Sequence, residues 1–382
     1  MKKIALLGST GSIGRQVLDV VDRYPNKFKI VSLCCNKNAH LLEEQAKKYG
    51  VKVLGLTTSE KASEITSLPQ GATLYTGENA LLHCVLEEAD VVVVAVVGFC
   101  GLPAVIQACK MGKTIALANK ESLVAGGEIV TALAKKHGAN LIPIDSEHSA
   151  IWQCLHHDKQ TPFKKIILTA SGGALRNLPL DELEKVTPEM ALNHPTWKMG
   201  AKITVDCATM MNKGLEVIEA MWLFNCRADD IEVVIHPQSI VHSMVEYVDN
   251  ALIAQLSNPS MDIPIQLALS YPQRLKSATK PLDFSLLTLN FSTPDYHRYP
   301  CLKLAIDCAR IGKNMPCALS GANEEAVKLF LDGKIKFTDI AKYVELATKS
   351  VTLCEPTYEN LVKTDYLARE AVLYAYKEKK ID

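Results

Sequence analysis

Two carboxylates follow a short apolar run near the middle of the chain. Asp145 and Glu147 come directly after residues 140–144, which are predicted to form a strand. In an extended backbone the side chains of alternate residues point the same way, so these two carboxylates would face one site. Such a pair suits a hard divalent cation such as Mg²⁺ or Mn²⁺. The alternative interpretation is that Asp145 caps a helix and Glu147 interacts with the helix dipole.

A second set of polar residues lies on the helix predicted over residues 208–224. Asn212, Lys213 and Glu216 are three or four residues apart and therefore share one face of that helix. Asn212 and Gly214 both weaken helices, so their presence near a helix N-terminus points to a ligand. An amide, an ammonium and a carboxylate could hold a phosphate at one end and a metal at the other. A solvated surface with one ion pair is the alternative.

Further donors follow other predicted strands. Residues 171–173 are Ser-Gly-Gly, which offers a hydroxyl and free backbone N–H groups to an anion. Residues 119–121 are Asn-Lys-Glu and also close a predicted strand. The aperiodic segment 194–200 is predicted to fold over a ligand as a lid, and a plain connector is the alternative. His236 and His242 are interpreted as structural or interface histidines rather than catalytic ones.

Three glycines follow the first predicted strand and open the first predicted helix: Gly8, Gly11 and Gly14. Glycines at such a turn let the backbone approach a pyrophosphate, which the helix N-terminus binds. A tight turn without a ligand is the alternative. After the second predicted strand, residues 36–38 (Asn-Lys-Asn) supply a cation where an NAD site has an acidic residue. This composition favours NADP(H), and an ordinary solvated loop is the alternative.

The first part of the chain is predicted to form the scaffold for these residues. Short apolar runs alternate with amphipathic stretches up to residue 144, which predicts an α/β fold with a doubly wound, Rossmann-type parallel sheet. Ligands of such a sheet bind at the carboxyl ends of its strands. The predicted strands are 3–8, 29–34, 51–56, 90–96, 114–118 and 140–144, and the predicted helices include 13–23, 41–49 and 101–110.

The rest of the chain is predicted to form an α+β domain with an open sheet, followed by a helical bundle. A partner subunit would cover the open sheet. The predicted strands are 165–169, 231–235, 239–248 and 251–256, and the predicted helices are 146–156, 208–224, 302–311, 321–331, 338–348 and 359–377. The predicted boundaries are 1–145 for the cofactor domain, 146–271 for the catalytic domain with a lid near 193–201, 272–300 for a linker and 301–382 for the helical domain.

Composition excludes several classes of protein. The 382 residues contain 42 Lys and Arg against 42 Asp and Glu, so the chain has no global basic footprint for nucleic acid. The longest apolar run, 91–97, is far shorter than the roughly 20 residues of a membrane-spanning helix. Twelve cysteines without C-x-x-C spacing, and no export signal, predict a reduced cytoplasmic protein with buried thiols. Because the charges balance, any anionic ligand must be bound by local donors.

Taken in order, the motifs resemble the 1-deoxy-D-xylulose 5-phosphate reductoisomerase family over nearly the whole chain. The matching segments are GSTGSIG at Gly8, ANKESLVAGG at Ala118, PIDSEH at Pro143, TASGG at Thr169, HPTWKMG at His194, DCATMMNKGLE at Asp206 and HPQSIVHSMVEY at His236. The resemblance implies a homodimeric enzyme that uses NADPH and a divalent cation (Mg²⁺, Mn²⁺ or Co²⁺). Its phosphorylated ketose substrate would become 2-C-methyl-D-erythritol 4-phosphate by retro-aldol cleavage, recombination and hydride transfer.

The resemblance also implies a role for each set of candidate residues. The implied cofactor-binding residues are Thr10, Gly11, Ser12, Ile13, Asn36, Lys37, Asn38, Asn119, Glu121 and Gly200. The implied metal ligands are Asp145, Glu147 and Glu216. The implied substrate-binding residues are Lys120, Ser146, Glu147, Ser171, His194, Trp197, Cys207, Asn212, Lys213 and Glu216, of which Lys120, Glu147, His194 and Glu216 are the catalytic candidates.

Two positions depart from the family pattern. Cys207 stands where the family usually has serine, and a thiol is a poorer hydrogen-bond donor to phosphate than a hydroxyl. Asn36 stands where many members have glycine, which affects the loop on the adenine side.

Two other functions explain fewer of these residues. An NADP-dependent semialdehyde dehydrogenase also has a glycine-rich start, and it would use Cys207 as its nucleophile without a metal. A non-enzymatic NADP-binding scaffold would bind the cofactor without turnover. The scaffold leaves Asp145, Glu147 and Glu216 unexplained, and retention of activity after chelation would favour the dehydrogenase.

Overall fold

The computed structural model describes residues 1–155 and 162–381, and its strands and α-helices are numbered here in chain order. The strands are β1 Lys2–Leu7, β2 Phe28–Cys35, β3 Val53–Leu56, β4 Thr73–Thr76, β5 Val91–Val94, β6 Thr114–Leu117, β7 Asn140–Pro143, β8 Phe163–Ala170, β9 Ile231–Ile235, β10 Val241–Tyr247 and β11 Leu252–Leu256. The first helices are α1 Ser12–Arg23, α2 Ala39–Tyr49, α3 Ala80–His83, α4 Leu102–Lys110, α5 Lys120–His137, α6 Ser146–Leu155 and α7 Pro188–Leu192. The remaining helices are α8 Ala201–Ala208, α9 Met211–Phe224, α10 Asp262–Ser270, α11 Pro300–Ile311, α12 Met315–Leu331, α13 Asp339–Ser350 and α14 Tyr358–Lys377.

The first compact unit contains residues 1–122, 130–149 and 260–279. Its strands form one parallel sheet in the order β4-β3-β2-β1-β5-β6-β7. The central strand β5 is fully buried, and β1 is buried from Ile4 to Leu7, because helices cover both faces of such a sheet. The strand order reverses between β1 and β5, and this is where a doubly wound sheet binds its ligands. The predicted Rossmann-type fold is confirmed.

Several elements of this unit are absent from the sequence prediction, among them β4 and α10. The edge strand β4 has only four residues, and none of them is fully buried, so its periodicity is too short to detect. Helix α10 is buried continuously from Pro264 to Ser270 and is mostly apolar, so it lacks a clear amphipathic period. Lys2 Nζ donates to the carbonyl oxygens of Leu269 (3.1 Å) and Tyr271 (2.7 Å), which fixes the C-terminal end of α10 in this unit. The sequence analysis places residues 262–271 in the predicted catalytic domain, 146–271.

Among the described residues, the second compact unit contains 123–129, 150–155, 162–259 and 280–381. Its sheet has the order β11-β10-β8-β9, in which β8 and β9 are parallel and the other pairs are antiparallel. Helices α11 to α14 share one apolar core with α9 and this sheet. The predicted α+β region and the predicted C-terminal helices are therefore confirmed. Of the helix predicted over residues 146–156, His156 lies outside the described residues.

The helix predicted over residues 208–224 was wrong in one respect. Helix α8 ends at Ala208 and α9 begins at Met211, with Met210 between them in the left-handed region at φ +59°. Met210 and Met211 are both buried, so the apolar periodicity continues through the turn and conceals it. The break gives α9 a fresh N-terminus directly before Asn212 and Lys213.

None of the helices among the described residues is long and apolar enough to cross a membrane. All twelve cysteines have free thiols, and most of them are buried. Burial raises the pKa of several of these thiols, for example that of Cys109 to about 12, so they are unreactive packing residues near neutral pH.

His236 fixes the turn between β9 and β10. Its Nε2 atom accepts hydrogen bonds from the backbone N–H groups of Ile240 (3.1 Å) and Val241 (3.2 Å). The proton therefore lies on Nδ1, which donates to the carbonyl oxygen of Asn290 at 2.9 Å. Burial lowers the pKa of His236, and its ring stacks on Phe291. This geometry agrees with the structural interpretation of the residue.

We expect the variant His236→Ala to lose about 2 kcal/mol or more of unfolding free energy, because two buried N–H groups lose their acceptor. Since the pKa of His236 is lowered in the folded protein, the unfolded chain binds the proton first as the pH falls. The stability contribution of His236 is therefore complete above about pH 6.5 and decreases below it. Urea unfolding at pH 7.5 and 5.5 measures both effects. The exposed His297→Ala is the control, and an equal pH dependence in wild type and His236→Ala would contradict the assignment.

Candidate active site

The glycine turn after β1 exposes the N-terminus of α1. The N–H groups of Gly8 and Ser9 both donate to the carbonyl oxygen of Cys34 (2.7 and 2.9 Å), and Gly8 has φ +94°. A Cβ atom on Gly14 would lie 2.1 Å from the Gly8 carbonyl oxygen, so the helix packs directly on the turn. Gly11 precedes α1 without a side-chain cap. The first backbone N–H groups of α1 can therefore bind an anion.

The loop of residues 36–38 follows β2 at the same edge of the sheet. Asn36 Oδ1 accepts hydrogen bonds from the hydroxyls of Thr57 (2.9 Å) and Thr58 (2.7 Å), and Asn38 Oδ1 caps α2. Lys37 is exposed, and its side chain forms no hydrogen bond or ion pair with any described residue. Its ammonium group is therefore available to a ligand.

Asn119 connects the ends of β5 and β6. Its side-chain Nδ2 donates to the carbonyl oxygen of Gly98 and to Glu121 Oε2, each at 3.0 Å, and Asn119 is fully buried. Gly101 makes room for it, since a Cβ atom there would lie 2.3 Å from Asn119 Oδ1. The amide thus orients Glu121 in the first turn of α5.

Asp145 lies at the carboxyl end of β7 between the side chains of Lys120 and His148. Lys120 Nζ is 2.7 Å from Asp145 Oδ2, and His148 Nδ1 is 3.2 Å from Asp145 Oδ1. Burial by itself raises the pKa of Asp145, but Lys120 and His148 lower it by more, which places it well below its usual range. Asp145 also accepts from the backbone N–H of Glu147 at 3.3 Å, so the helix-cap interpretation is part of its role. Ser146 Oγ donates to Glu147 Oε2.

The polar face of α9 is buried, so the solvated-surface interpretation of these residues was wrong. Lys213 and Glu216 are only 4% and 1% exposed. Asn212 Nδ2 donates to Glu216 Oε1 at 2.5 Å, and Lys213 Nζ pairs with Glu216 Oε2. Removing one partner of such a buried pair leaves an uncompensated charge.

Gly214 has a packing role rather than the ligand role that the sequence suggested. A Cβ atom on Gly214 would lie 2.2 Å from the Cβ atom of Ala305 on α11. The small residue therefore lets α11 approach the backbone of α9.

Residues 171–173 form a tight turn after β8. Gly172 and Gly173 have φ values of +80° and +73°, and the N–H of Gly173 donates to Ser171 Oγ at 3.1 Å. A Cβ atom on Gly173 would lie 2.4 Å from the carbonyl oxygen of Cys207. The turn is therefore packed against the C-terminal end of α8.

His194 is held in one tautomer. Its Nδ1 atom accepts from the backbone N–H groups of Thr196 (3.1 Å) and Trp197 (3.0 Å), so the proton lies on Nε2. Nε2 then donates to Ser171 Oγ at 3.0 Å. Burial, with a further effect of Arg176, lowers the pKa of His194, and the ring is neutral near pH 7. Ser171 Oγ thus accepts two hydrogen bonds, and its own proton remains available to a ligand.

The other candidates of this unit lie around the start and end of α8. Trp197 is half-buried, and its ring centre is 6.3 Å from that of His242. Gly200 is exposed at the N-terminus of α8, and Cys207 is half-buried near its C-terminus. The segment 194–200 contains no strand or helix, as predicted.

Sequence reasoning missed a buried contact between α8 and α12, which joins Asp206 to Asn323. Asp206 is 1% exposed, and it accepts from Asn323 Nδ2 of α12 at 2.8 Å and pairs with Lys202 Nζ at 3.0 Å. Asp206 entered the analysis of the sequence only as one letter of a motif. Its partner on α12 is 117 residues away, and no local pattern signals that contact.

Three family models match the chain in succession. Residues 4–127 match 1-deoxy-D-xylulose 5-phosphate reductoisomerase, residues 141–224 match its C-terminal domain, and residues 256–371 match the DXP reductoisomerase C-terminal domain. Together they cover most of the chain.

Curated relatives are similar over their whole length. The 1-deoxy-D-xylulose 5-phosphate reductoisomerase of Caldanaerobacter subterraneus subsp. tengcongensis is 49% identical over 380 residues, which covers 98% of this chain and 100% of the relative. That of Rippkaea orientalis is 45% identical over 387 residues, which covers 99% and 97%.

Solved structures of the same enzyme superpose on the chain. A DOX-P reductoisomerase in complex with NADPH, fosmidomycin and magnesium has a TM-score of 0.94 at 39% identity, covering 100% of this chain and 99% of that one. The Zymomonas mobilis enzyme in complex with NADPH has a TM-score of 0.89 at 39% identity, with coverage of 98% and 99%.

Proposed function

Because the chain belongs to the 1-deoxy-D-xylulose 5-phosphate reductoisomerase family, we propose that the residues described above form the active site for that family's reaction. The chain is an enzyme that converts 1-deoxy-D-xylulose 5-phosphate to 2-C-methyl-D-erythritol 4-phosphate and depends on NADPH and a divalent metal ion. The observation that carries the assignment of residues is the buried lysine–carboxylate pair of Lys213 and Glu216. The semialdehyde dehydrogenase and the scaffold are set aside.

Asp145, Glu147 and Glu216 are the metal ligands in this proposal. The donor set fits a hard cation, since all three side chains are carboxylates and Glu216 is almost fully buried. When bound, Mg²⁺ or Mn²⁺ acts as a Lewis acid that stabilises negative charge on the substrate oxygens. Lys120 and Lys213 compensate the charge of Asp145 and Glu216 within their own units and orient both carboxylates. Co²⁺ is a further candidate.

The substrate phosphate is bound, in this proposal, by donors of the second unit. Ser171 contributes the hydroxyl proton that its two hydrogen bonds leave available, and Asn212 and Lys213 contribute an amide and an ammonium. His194 is neutral, so it donates Nε2–H and adds no charge. Cys207 lies beside this turn through its backbone. The support is that every one of these groups is a hydrogen-bond donor.

The sugar end is assigned to the residues at the ends of β6 and β7. Lys120 and Ser146 are proposed to donate hydrogen bonds to the substrate hydroxyls, and Glu147 to accept them. Trp197 would cover the substrate when the 194–200 lid closes and exclude water, which prevents loss of reactive fragments. Lys120, Glu147, His194 and Glu216 are the proposed catalytic residues.

NADPH supplies the hydride, and the chain positions it. Its pyrophosphate is assigned to the N-terminus of α1, at residues Thr10, Gly11, Ser12 and Ile13. The adenosine phosphate is assigned to the loop of Asn36, Lys37 and Asn38, in which Lys37 is an exposed cation without a partner among the described residues. Asn119, Glu121 and Gly200 are assigned to the cofactor site as well.

We also propose that the enzyme is a cytoplasmic homodimer. Twelve free thiols fit a reducing compartment. β11 is an edge strand of its sheet, and Leu252 and Ile253 on it are 55% and 40% exposed, as is Val248 nearby at 59%. An apolar edge strand favours pairing with another chain.

Light scattering should give a mass of about twice the chain mass of 41.9 kDa. The variant Ile253→Lys should lower the measured mass toward that of the monomer, because it places a charge on the exposed edge strand. A monomeric wild type would contradict the dimer.

We expect Glu216→Gln to weaken Mn²⁺ binding and to lower metal-dependent turnover by at least about 100-fold, because one anionic ligand is lost. NADPH affinity should stay unchanged. Electron paramagnetic resonance of Mn²⁺ and a turnover assay measure the two effects. The matched control is Glu325→Gln, a buried glutamate that also pairs with a lysine three residues away. Unchanged Mn²⁺ affinity in Glu216→Gln would remove this residue from the ligand set.

The glycine turn gives a matched pair of variants for the cofactor site. A Cβ atom on Gly11 has its nearest contact at 3.4 Å, whereas a Cβ atom on Gly14 would lie 2.1 Å from a backbone oxygen. We therefore expect Gly11→Ala to fold normally but to raise the Kd of NADPH by about tenfold, since the methyl group occupies the position of the pyrophosphate. Gly14→Ala should lower the melting temperature instead. A fluorescence titration measures the Kd of NADPH for each variant. An unchanged Kd in Gly11→Ala would place the pyrophosphate elsewhere.

A further inference from the structure

Tyr299 is a buried tyrosine at the start of α11. It is 2% exposed and follows the exposed segment that ends the predicted linker. A buried phenol requires a hydrogen-bond acceptor. Tyr299 Oη donates to the carbonyl oxygen of Gly172 at 3.0 Å, across 127 residues of sequence. Burial raises the pKa of Tyr299, so the phenol keeps its proton.

The accepting carbonyl belongs to the peptide that orients Ser171. The C=O of Gly172 and the N–H of Gly173 lie in one planar peptide unit and point in opposite directions. Fixing the oxygen on one side therefore directs the N–H on the other side, which donates to Ser171 Oγ at 3.1 Å. Both glycines have positive φ values, so the turn adopts a conformation that the rest of the structure must hold in place.

Arg298, the neighbouring residue, holds the next part of the same loop. Its guanidinium donates to the carbonyl oxygens of Leu175 (3.1 Å) and Leu178 (2.7 Å). Two consecutive residues thus bind three backbone carbonyls between residues 172 and 178. Charged donors such as guanidinium form the stronger class of hydrogen bond.

Helix α11, which begins directly after Tyr299, also packs on the helix that carries Asn212 and Lys213. A Cβ atom on Gly214 would lie 2.2 Å from the Cβ atom of Ala305. The start of α11 therefore contacts the Ser171 turn, and its middle contacts α9. One element fixes both groups of donors relative to each other.

From these contacts we propose that Tyr299 is a positioning residue for the substrate phosphate, acting through the Gly172–Gly173 peptide on the hydroxyl of Ser171. The proposal rests on the proposed function, in which Ser171 binds that phosphate. Tyr299 itself does not touch the substrate. A tyrosine that only fills the core would affect stability without affecting substrate affinity.

The test is the variant Tyr299→Phe, which removes one oxygen and keeps the ring. We expect the KM for 1-deoxy-D-xylulose 5-phosphate to rise on the order of fivefold, with kcat and the Kd of NADPH unchanged, because ground-state and transition-state binding are lost together. The control is Tyr247→Phe, since Tyr247 Oη also donates to a carbonyl oxygen, that of Cys154 at 3.0 Å, in the same unit. Tyr247→Phe should match Tyr299→Phe in melting temperature but keep the wild-type KM. An unchanged KM in Tyr299→Phe, or an equal rise in both variants, overturns the proposal.

A further variant separates this proposal from the proposed function. Ser171→Ala should raise the KM by itself, and adding Tyr299→Phe to it should change the KM little, because the tyrosine acts through the missing hydroxyl. If Ser171→Ala has the wild-type KM, the phosphate role of Ser171 fails and the role of Tyr299 fails with it. If Ser171→Ala raises the KM and Tyr299→Phe does not, or if the two effects add fully, only the inference about Tyr299 fails.

Discussion

The pairing of buried charges is the constraint on which the site depends. Lys213 and Glu216 are almost completely buried, and an ion at such a position without its partner costs several kcal/mol. Lys120 and Asp145 repeat the arrangement in the first unit, where both side chains are nearly buried. Lys120 helps to keep Asp145 ionised, and Lys213 holds Glu216 in place through their ion pair. The chain has no net charge, so its phosphorylated ligands must be bound by such local groups.

Close backbone contacts keep these pairs in position. α11 approaches the paired residues of α9 at Gly214, and the end of α8 approaches the Ser171 turn at Gly173. The left-handed Met210 separates α8 from α9 and starts a new helix directly before Asn212. Small residues and one unusual backbone conformation thus allow polar groups to be buried with their partners. The proposed phosphate donors are therefore built into the core of the second unit, whereas the proposed lid is a segment without regular structure.

Local patterns predicted the elements, and contacts between distant residues escaped them. The alternation of apolar runs with amphipathic stretches was sufficient for the parallel sheet, and the motif glycines were sufficient for the tight turn between β1 and α1. The break at Met210 was missed because the apolar period continues through it. Gly214 was interpreted as a ligand signal because the sequence does not reveal that Ala305 packs against it. The contact of Tyr299 with Gly172 spans 127 residues and has no local signature.

The central claim is that one active site uses NADPH and a carboxylate-bound divalent cation on a phosphorylated ketose. Its most direct test is the oxidation of NADPH at 340 nm with 1-deoxy-D-xylulose 5-phosphate, using enzyme freed of metal by exhaustive chelation. The account predicts no turnover until Mg²⁺ or Mn²⁺ is added and full turnover afterwards. Turnover that survives chelation, or its absence with every component present, would contradict the account.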